Sequence, residues 1–154
     1  MLSSRSYDAL YVERCRARIN AQVATYRHLF EAVTEEGAGP ADSLHNALAS
    51  LEEVFFNNLL VVLDSYFLHR SRGVEMKNGN ALNEVRLLRE SLLAHEGVMV
   101  IDSAIKYHAD RSILHYHLGE SIHLSERDFA VLAEAFLAEI VEKYVDGRSR
   151  PPER

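Results

Sequence analysis

Apolar residues recur at steps of three and four along most of this chain, and this spacing constrains the fold more than any other feature. In the first third they are Val12, Cys15, Ile19, Val23, Tyr26, Phe30 and Val33. Because such a stripe lines one side of a helix, we predict a first helix from about Tyr7 to Val33. The glycine-rich run Thr34–Pro40 ends it. Only three prolines and seven glycines occur in 154 residues, which favours long helices over a many-stranded sheet.

The second predicted helix, from about Ala41 to Arg72 with Gly73 as its C-cap, contains the most apolar part of the chain. Its section from Val54 to Leu68 is apolar on nearly every side. The polar interruptions are Asn57, Asn58, Asp64 and Ser65. A helix of this kind is either surrounded by its own domain or buried in a subunit interface. Since a small bundle rarely has enough helices to surround one completely, we predict a homodimer that forms through the Val54–Leu68 helix.

Two further helices have recognisable starting residues. Asn80 is a suitable N-cap for a third helix that runs from about Ala81 to His95. Ser125 and Asp128 have the spacing of a capping box, in which each residue accepts a backbone hydrogen bond from the other. They predict a fourth helix that continues to Tyr144.

A change of period between these two helices indicates β-structure. Val98–Ile101 is a short apolar strand candidate, and Ile113–Leu124 alternates between apolar and polar residues. The expected fold class is therefore α+β, predominantly α, with about four helices, two of them long, and a short β-hairpin before the last helix. We expect residues 1–146 to form a single domain and residues 147–154 to form a disordered tail.

The predicted hairpin brings three of the eight histidines together. With a three-residue loop at Gly119–Ser121, His115, His117 and His123 share one face and the apolar residues share the other, whereas a two-residue loop would split both sets. Three imidazoles on one face can bind Zn²⁺ or Ni²⁺. A metal site at these histidines is therefore an alternative. Because no carboxylate or cysteine is fixed beside them, we expect a polar face without a metal.

Charge and composition exclude several classes of protein. The formal net charge is −6, so nucleic acid is not an expected partner, and the cluster Arg14, Arg16 and Arg18 is diluted by acidic neighbours. The lone Cys15 cannot form an internal disulfide. No apolar signal core follows Met1, and the longest apolar run, Leu59–Leu63, is far shorter than the roughly 20 residues of a membrane span. We therefore expect a cytoplasmic protein that does not enter a membrane.

Polar residues within the apolar second helix are the best candidates for a ligand pocket. Asn57, Asn58 and Asp64 lie where buried polar groups need partners. Such groups orient ligands in largely apolar cavities, so a small molecule is a candidate partner. The alternative is that these residues form purely structural hydrogen bonds or lie at an exposed edge. No cofactor motif is present: the sequence contains no Walker loop, Gly-x-Gly-x-x-Gly or Gly-x-Ser-x-Gly.

One enzymatic alternative rests on a short motif. Arg89 and His95, with five residues between them, are similar to the Arg and His of the HEPN ribonucleases, which act at a dimer interface of paired helices. That similarity implies metal-independent RNA cleavage in which Arg89 binds phosphate and His95 transfers protons. Glu90 stands where that family usually has Asn, and its charge would repel the phosphate. The two side chains also differ by roughly 120° around a helix.

The part from Leu63 to Tyr144 resembles an uncharacterised family of actinobacterial proteins. The resemblance is carried by Tyr66–Arg70, by Gly79–Arg86 (Gly-Asn-Ala-Leu-Asn-Glu-Val-Arg) and by Ser125–Phe129. It implies a folded unit and no reaction. The sequence therefore predicts a homodimeric helical domain for binding or assembly, with the ribonuclease as its main alternative.

Overall fold

The computed structural model describes residues 6–35 and 43–146. In these ranges the chain forms α1 (Ala9–Glu35), α2 (Ser43–Ser65), the short α3 (Arg72–Glu75), α4 (Ala81–Ala94), one turn of 3-10 helix (Ala109–Arg111) and α5 (Glu126–Tyr144). Helix α4 packs against α2 and α5, and α1 packs against the same two helices from another side. The predicted tail at 147–154 and residues 36–40 of the predicted breaker run lie outside the described residues.

The apolar stripe predicted for α1 is confirmed along most of its length. Its buried residues are Val12, Cys15, Ile19, Tyr26 and Val33, whereas Val23 is half-buried and Phe30 is 41% exposed. The ring of Tyr26 meets Phe56 of α2 edge-on at a centroid distance of 4.9 Å, and Phe56 meets Phe129 of α5 at 5.8 Å. The core between α1, α2 and α5 is therefore aromatic at this end.

Both predicted helix starts are confirmed, together with their caps. The Asn80 side chain accepts a hydrogen bond from the Asn83 N–H at 3.0 Å, and α4 begins at the next residue, Ala81. At α5 the Ser125 hydroxyl accepts from the Asp128 N–H at 3.0 Å, while the Asp128 carboxylate accepts from the Ser125 N–H at 3.2 Å. These bonds satisfy backbone donors that a helix start leaves free.

Helix α2 ends about two turns earlier than predicted. After Asp64 the chain forms turns whose hydrogen bonds span three residues instead of four. The Phe67 N–H donates to the Asp64 carbonyl at 3.0 Å, and the Arg70 N–H donates to the Phe67 carbonyl at 3.1 Å. The Arg70 guanidinium then folds back and donates to the Phe67 carbonyl at 3.0 Å. A positive charge at the C-terminal end of a helix is favourable, because the helix dipole is negative there. Gly73, the predicted C-cap, lies inside α3 instead.

The predicted β-hairpin is wrong, and so is the α+β class. The described ranges contain no strand and no sheet, and the β-bridges that join two described residues are isolated ones, Tyr7–Val145 and Val98–Ser121. The strand predicted at Val98–Ile101 is reduced to the second of these bridges. The protein is therefore predominantly helical, with an irregular segment between α4 and α5.

Side chains of α2 and α4 bind backbone groups at both ends of the segment predicted to form the hairpin. The Glu84 carboxylate accepts hydrogen bonds from the N–H groups of Ile113 and Leu114, each at 2.8 Å. Asn57 of α2 accepts from the Leu124 N–H at 3.0 Å and donates to the Ile122 carbonyl at 2.9 Å. These backbone groups are thereby satisfied without a partner strand.

Helix α2 is also the one described helix that is long and apolar enough to cross a membrane by length and composition alone. The mean hydropathy of its most apolar window is 1.2, and 33% of that window is buried inside the protein. One such helix is weak evidence, because a helix in the core of a soluble protein can have the same composition. Its Asp64 is fully buried and ion-paired.

Candidate ligand-binding cleft

A cluster of five charged residues lies where α2, α3 and α4 meet, and we call it the charged cluster. Its members are Asp64, Arg70, Glu75, Arg86 and Arg89. The fully buried Arg70 guanidinium donates through Nη1 to Asp64 at 2.8 Å and through Nε to Glu75 at 2.9 Å. Arg86 donates to both oxygens of Glu75, at 2.9 and 2.5 Å. Arg89 Nε lies 3.3 Å from the second oxygen of Asp64. Three guanidinium groups therefore face two carboxylates.

Glu75 and Arg86 remain charged at neutral pH in spite of their burial. Burial by itself would raise the pKa of Glu75, but the hydrogen bond from Arg86 and the charges of Arg70 and Arg86 more than offset it, and the pKa is lowered. The hydrogen bond to Glu75 raises the pKa of Arg86. The Arg70 guanidinium also lies 5.3 Å from the centre of the Phe136 ring, where a cation–π contact stabilises a charge without water.

The backbone beside Glu75 is strained. Met76 follows it with φ 67° and ψ −178°, a region that residues other than glycine almost never adopt and that costs about 1–3 kcal/mol. Two side-chain amides hold this conformation: Asn83 donates to the Met76 carbonyl at 3.0 Å, and Asn80 donates to the Glu75 carbonyl at 2.7 Å. Strain of this size persists where the surrounding structure determines it, and it is common at binding sites.

Gly79 closes the same turn and cannot be replaced by a larger residue without a clash. Its φ is +83°, and a Cβ added there would lie 2.4 Å from the Lys106 carbonyl oxygen. That close approach is held by the Lys106 N–H, which donates to the Lys77 carbonyl at 2.9 Å. The turn before α4 is thereby fixed against the segment that follows α4.

A cleft of about 530 Å³ runs beside the charged cluster, between α4 and residues 100–105. Its lining residues are Arg72, Arg86, Leu87, Glu90, His95, Val100, Ile101, Asp102 and Ile105. From Arg86 to His95 the helix extends roughly 13 Å at 1.5 Å per residue, so the cleft is elongated. A cavity of about 30 Å³ adjoins it at Arg86, because both are lined by Arg72, Arg86, Asp102 and Ile105.

Ser91 fixes the opposite wall of the cleft. This buried hydroxyl accepts a hydrogen bond from the Val100 N–H at 2.9 Å and donates to the Leu87 carbonyl at 2.7 Å. The Ser91 carbonyl also accepts from the Gly97 N–H at 3.0 Å, one turn beyond the helix end. The chain after α4 therefore returns alongside the helix and places aliphatic side chains opposite Leu87.

Two arginines at one end of the cleft have N–H groups that are available to bind a ligand. Arg86 uses Nε and Nη2 on Glu75, and within the described residues its Nη1 makes no hydrogen bond to the protein. Arg72 is exposed and forms no ion pair with any residue that the structure describes. Both guanidinium groups can therefore donate to a ligand.

The three residues predicted to form a ligand pocket lie in two different places. Asn57 and Asn58 line a second, shallower depression of about 310 Å³ that we call the groove. Its other lining residues are Glu53, Val54, Val61, Leu92, Leu93, Glu96, Gly97, Ser121, Ile122 and His123. Asp64 lies instead in the charged cluster. The Asn57 amide is occupied at both ends by the backbone of 122–124, which is the structural role considered as the alternative.

The histidines of the supposed hairpin do not share a face of a sheet. His115, His117 and His123 are all exposed, but His115 has φ 61° and its Nδ1 donates to the Ala109 carbonyl oxygen, 2.8 Å away. No group of three histidine, cysteine, aspartate or glutamate residues in the described part of the chain is arranged to hold a metal ion.

Arg89 and His95, the two residues of the ribonuclease alternative, lie in different sites. Arg89 contacts Asp64 in the charged cluster, whereas His95 lines the cleft, which Arg89 does not line. Within one chain the structure does not bring them into a common site.

The residues that build the charged end of the cleft were not predicted from the sequence. Arg70, Glu75 and Arg86 were not singled out for chemistry, although Arg70 and Arg86 lie in the segments that suggested a family resemblance. A usable signal was the apolar stripe of α4, where Glu84 and Ser91 fall among Ala81, Val85 and Leu88. Charged or polar residues on a buried helix face need specific partners.

This chain has no recognisable relative among the proteins with which it was compared. The chain matches no protein-family model, and comparison with curated proteins and with solved structures finds no significant similarity. The resemblance to an actinobacterial family therefore has no support from any family model or relative.

Proposed function

We propose that this protein is a binding domain that holds an elongated small molecule in the cleft between α4 and residues 100–105. The observation that carries the proposal is the cleft itself. Its volume of about 530 Å³ lies within the roughly 300–1,000 Å³ of small-molecule sites. Aliphatic side chains form its middle and charged groups its ends, which is the composition such sites have.

The lining residues favour binding over covalent catalysis. Among those that the structure describes there is no serine, threonine, cysteine or tyrosine, so the wall offers no hydroxyl or thiol nucleophile. His95 is exposed at the C-cap of α4. The charged cluster and the Ser91 hydrogen bonds hold the lining residues in fixed positions. A preformed site of this kind lowers the entropic cost of binding a ligand.

Occupancy of the cleft can be tested with the neutral fluorescent dye Nile red. Ile101 lines the cleft and is 37% exposed, so Ile101→Trp should fill the cleft without disturbing the core. Val131 of α5 is 50% exposed and lines none of the cavities described above, which makes Val131→Trp a matched control.

We expect dye fluorescence to rise on adding the natural sequence or Val131→Trp, and to rise at least about fivefold less with Ile101→Trp. Equal fluorescence for all three proteins, or no increase with any of them, would show that the cleft is not a binding site.

A second candidate function is self-association, for which the groove is the supporting feature. Most of the apolar stretch Val54–Leu68 is covered by the protein's own helices, and Leu59, Leu60 and Leu63 are buried. Leu68 at its far end is 40% exposed. The open part that lines the groove is Val54, 48% exposed, beside Leu93 of α4, 58% exposed. We propose that a homodimer forms through this part of the Val54–Leu68 helix, because paired apolar side chains of this exposure gain from being covered.

A further inference from the structure

We infer that the cleft selects ligands that carry a compact oxyanion, a carboxylate or a phosphate, on an apolar body. The oxyanion would bind at Arg72 and Arg86, and the apolar body would lie along Leu87 and Ile101. This inference rests on the proposed function and specifies the class of ligand.

The balance of charge at this end of the cleft is positive. Five cations surround it or lie directly behind it, namely Arg70, Arg72, Lys77, Arg86 and Arg89, against the three carboxylates Asp64, Glu75 and Asp102. The cluster's own excess of one positive charge is largely shielded from water, so its field is screened less than that of surface charges. An anion in the adjoining cleft would be attracted by it.

The geometry of Arg86 prepares it to receive an anion. Glu75 binds its Nε and Nη2 and so fixes the plane of the guanidinium, while the side chain keeps 15% of its surface exposed. A fixed guanidinium loses little conformational entropy when it binds a ligand. Arg72 stands at the first position of α3, and both residues line the cleft and the small cavity beside it. Two guanidinium groups at one end of a cleft match the several acceptor atoms of an oxyanion.

The negative groups nearby do not cancel this preference. Asp102 is the one carboxylate among the described lining residues at this end, where it faces two guanidinium groups, and one of its oxygens already accepts a hydrogen bond from the Ala104 N–H at 2.8 Å. Glu90 is one helical turn from Arg86 towards the His95 end. The cleft is thus polarised along α4, positive at Arg86 and acidic beyond Leu87, and it should orient an amphipathic ligand with its anion at the arginines.

Isothermal titration calorimetry can test the inference with four unbranched probes of eight carbons each: octanoate, octyl phosphate, octylamine and octanol. The proteins compared are the natural sequence, Arg72→Ala and, as a matched control, Arg127→Ala, since Arg127 is exposed on α5 and lines none of the cavities. We expect octanoate or octyl phosphate to bind at least tenfold more tightly than octylamine and octanol. Arg72→Ala should weaken that binding about five- to tenfold, because it removes charge-assisted hydrogen bonds, and Arg127→Ala should leave it unchanged.

The two proposals fail in different ways. Equal affinity for all four probes, or an Arg72→Ala protein that binds octanoate and octyl phosphate as tightly as Arg127→Ala does, would overturn selection for an anion. If Nile red were nevertheless excluded by Ile101→Trp, the cleft would remain a binding site for neutral molecules. A lack of binding by all four probes would overturn the inference, and the dye experiment would then decide the proposed function separately. The relative affinities of octanoate and octyl phosphate identify which oxyanion is preferred.

Discussion

The substitution Glu75→Gln probes the residue on which the charged cluster depends. Glu75 is 2% exposed and accepts from Arg70 at 2.9 Å, from Arg86 at 2.9 and 2.5 Å and from Asn83 at 3.1 Å. Glutamine keeps the shape but removes the charge, and its amide N–H groups would face the guanidinium donors. Three arginines would then share the single carboxylate of Asp64.

The expected cost follows from that geometry. Removing one partner of a buried ion pair typically destabilises a protein by about 3–5 kcal/mol. For a chain of this length that corresponds to a fall in melting temperature of roughly 6–20 °C. Urea unfolding at pH 7, followed by circular dichroism, measures the difference. Glu142→Gln on the exposed side of α5 is the control, expected to change the free energy of unfolding by less than about 0.5 kcal/mol.

The pH dependence of this difference tests its origin. Because the folded-state pKa of Glu75 is lowered, its stabilisation is complete above the unfolded pKa of about 4.3 and is lost as the pH falls through the lower folded value. The gap between the natural protein and Glu75→Gln should therefore narrow below about pH 4. Burial raises the pKa of Glu84, which has the opposite effect, but Glu84 is present in both proteins and cancels. A loss under 1 kcal/mol, or a gap that stays constant to pH 3, would refute the reasoning.

Three other predictions concern the turn, the groove and the ribonuclease alternative. Gly79→Ala should destabilise the protein by at least ~2 kcal/mol through its positive φ and its clash, whereas Gly73→Ala, with no atom closer than 3.8 Å, should be within about 1 kcal/mol of neutral; urea unfolding compares them. Sedimentation at micromolar concentration should give twice the chain mass for the natural protein and the single chain mass for Val54→Asp, and a monomeric natural protein would contradict dimerisation. Purified protein should not cleave single-stranded RNA, and cleavage that is lost in both Arg89→Ala and His95→Ala would establish the ribonuclease instead.

The helices could be predicted because their signals are local. The stripe of α1 and the caps at Asn80 and Ser125 depend on residues within a few positions of one another, and each was confirmed. The end of α2 could not be predicted in the same way. It is set by Arg70, which folds back to reach Asp64 and the Phe67 carbonyl, a contact that the apolar pattern does not encode.

The hairpin prediction failed because alternation describes side chains and not the partners of the backbone. Ile113 to Leu124 does alternate, but the N–H groups of Ile113 and Leu114 bond to Glu84, 29 and 30 residues earlier, and that of Leu124 bonds to Asn57, 67 residues earlier. Leu118, expected on the apolar face, is 68% exposed. Long-range side-chain acceptors of this kind override a local preference for strand.

The candidate site was harder to predict than the fold. Asn57 and Asp64 both have the partners that polar groups in an apolar helix need, but only Asp64 is fully buried, and Asn58 is exposed. The cleft itself is formed by residues far apart in sequence, Arg72 before α4 and Ile101 after it. Its position depends on the return of the chain over Ser91, which only the tertiary structure shows.

The central claim, that a small amphipathic anion binds between α4 and residues 100–105, is tested most directly by nuclear magnetic resonance. Uniformly ¹⁵N-labelled protein titrated with octanoate should show its largest backbone amide shifts at Leu87, Val100 and Ile101. Amides of Asn58 and Leu93 in the groove should move little and serve as the internal reference. Shifts that are largest in the groove, or no saturable shifts at the three cleft residues, would contradict the account.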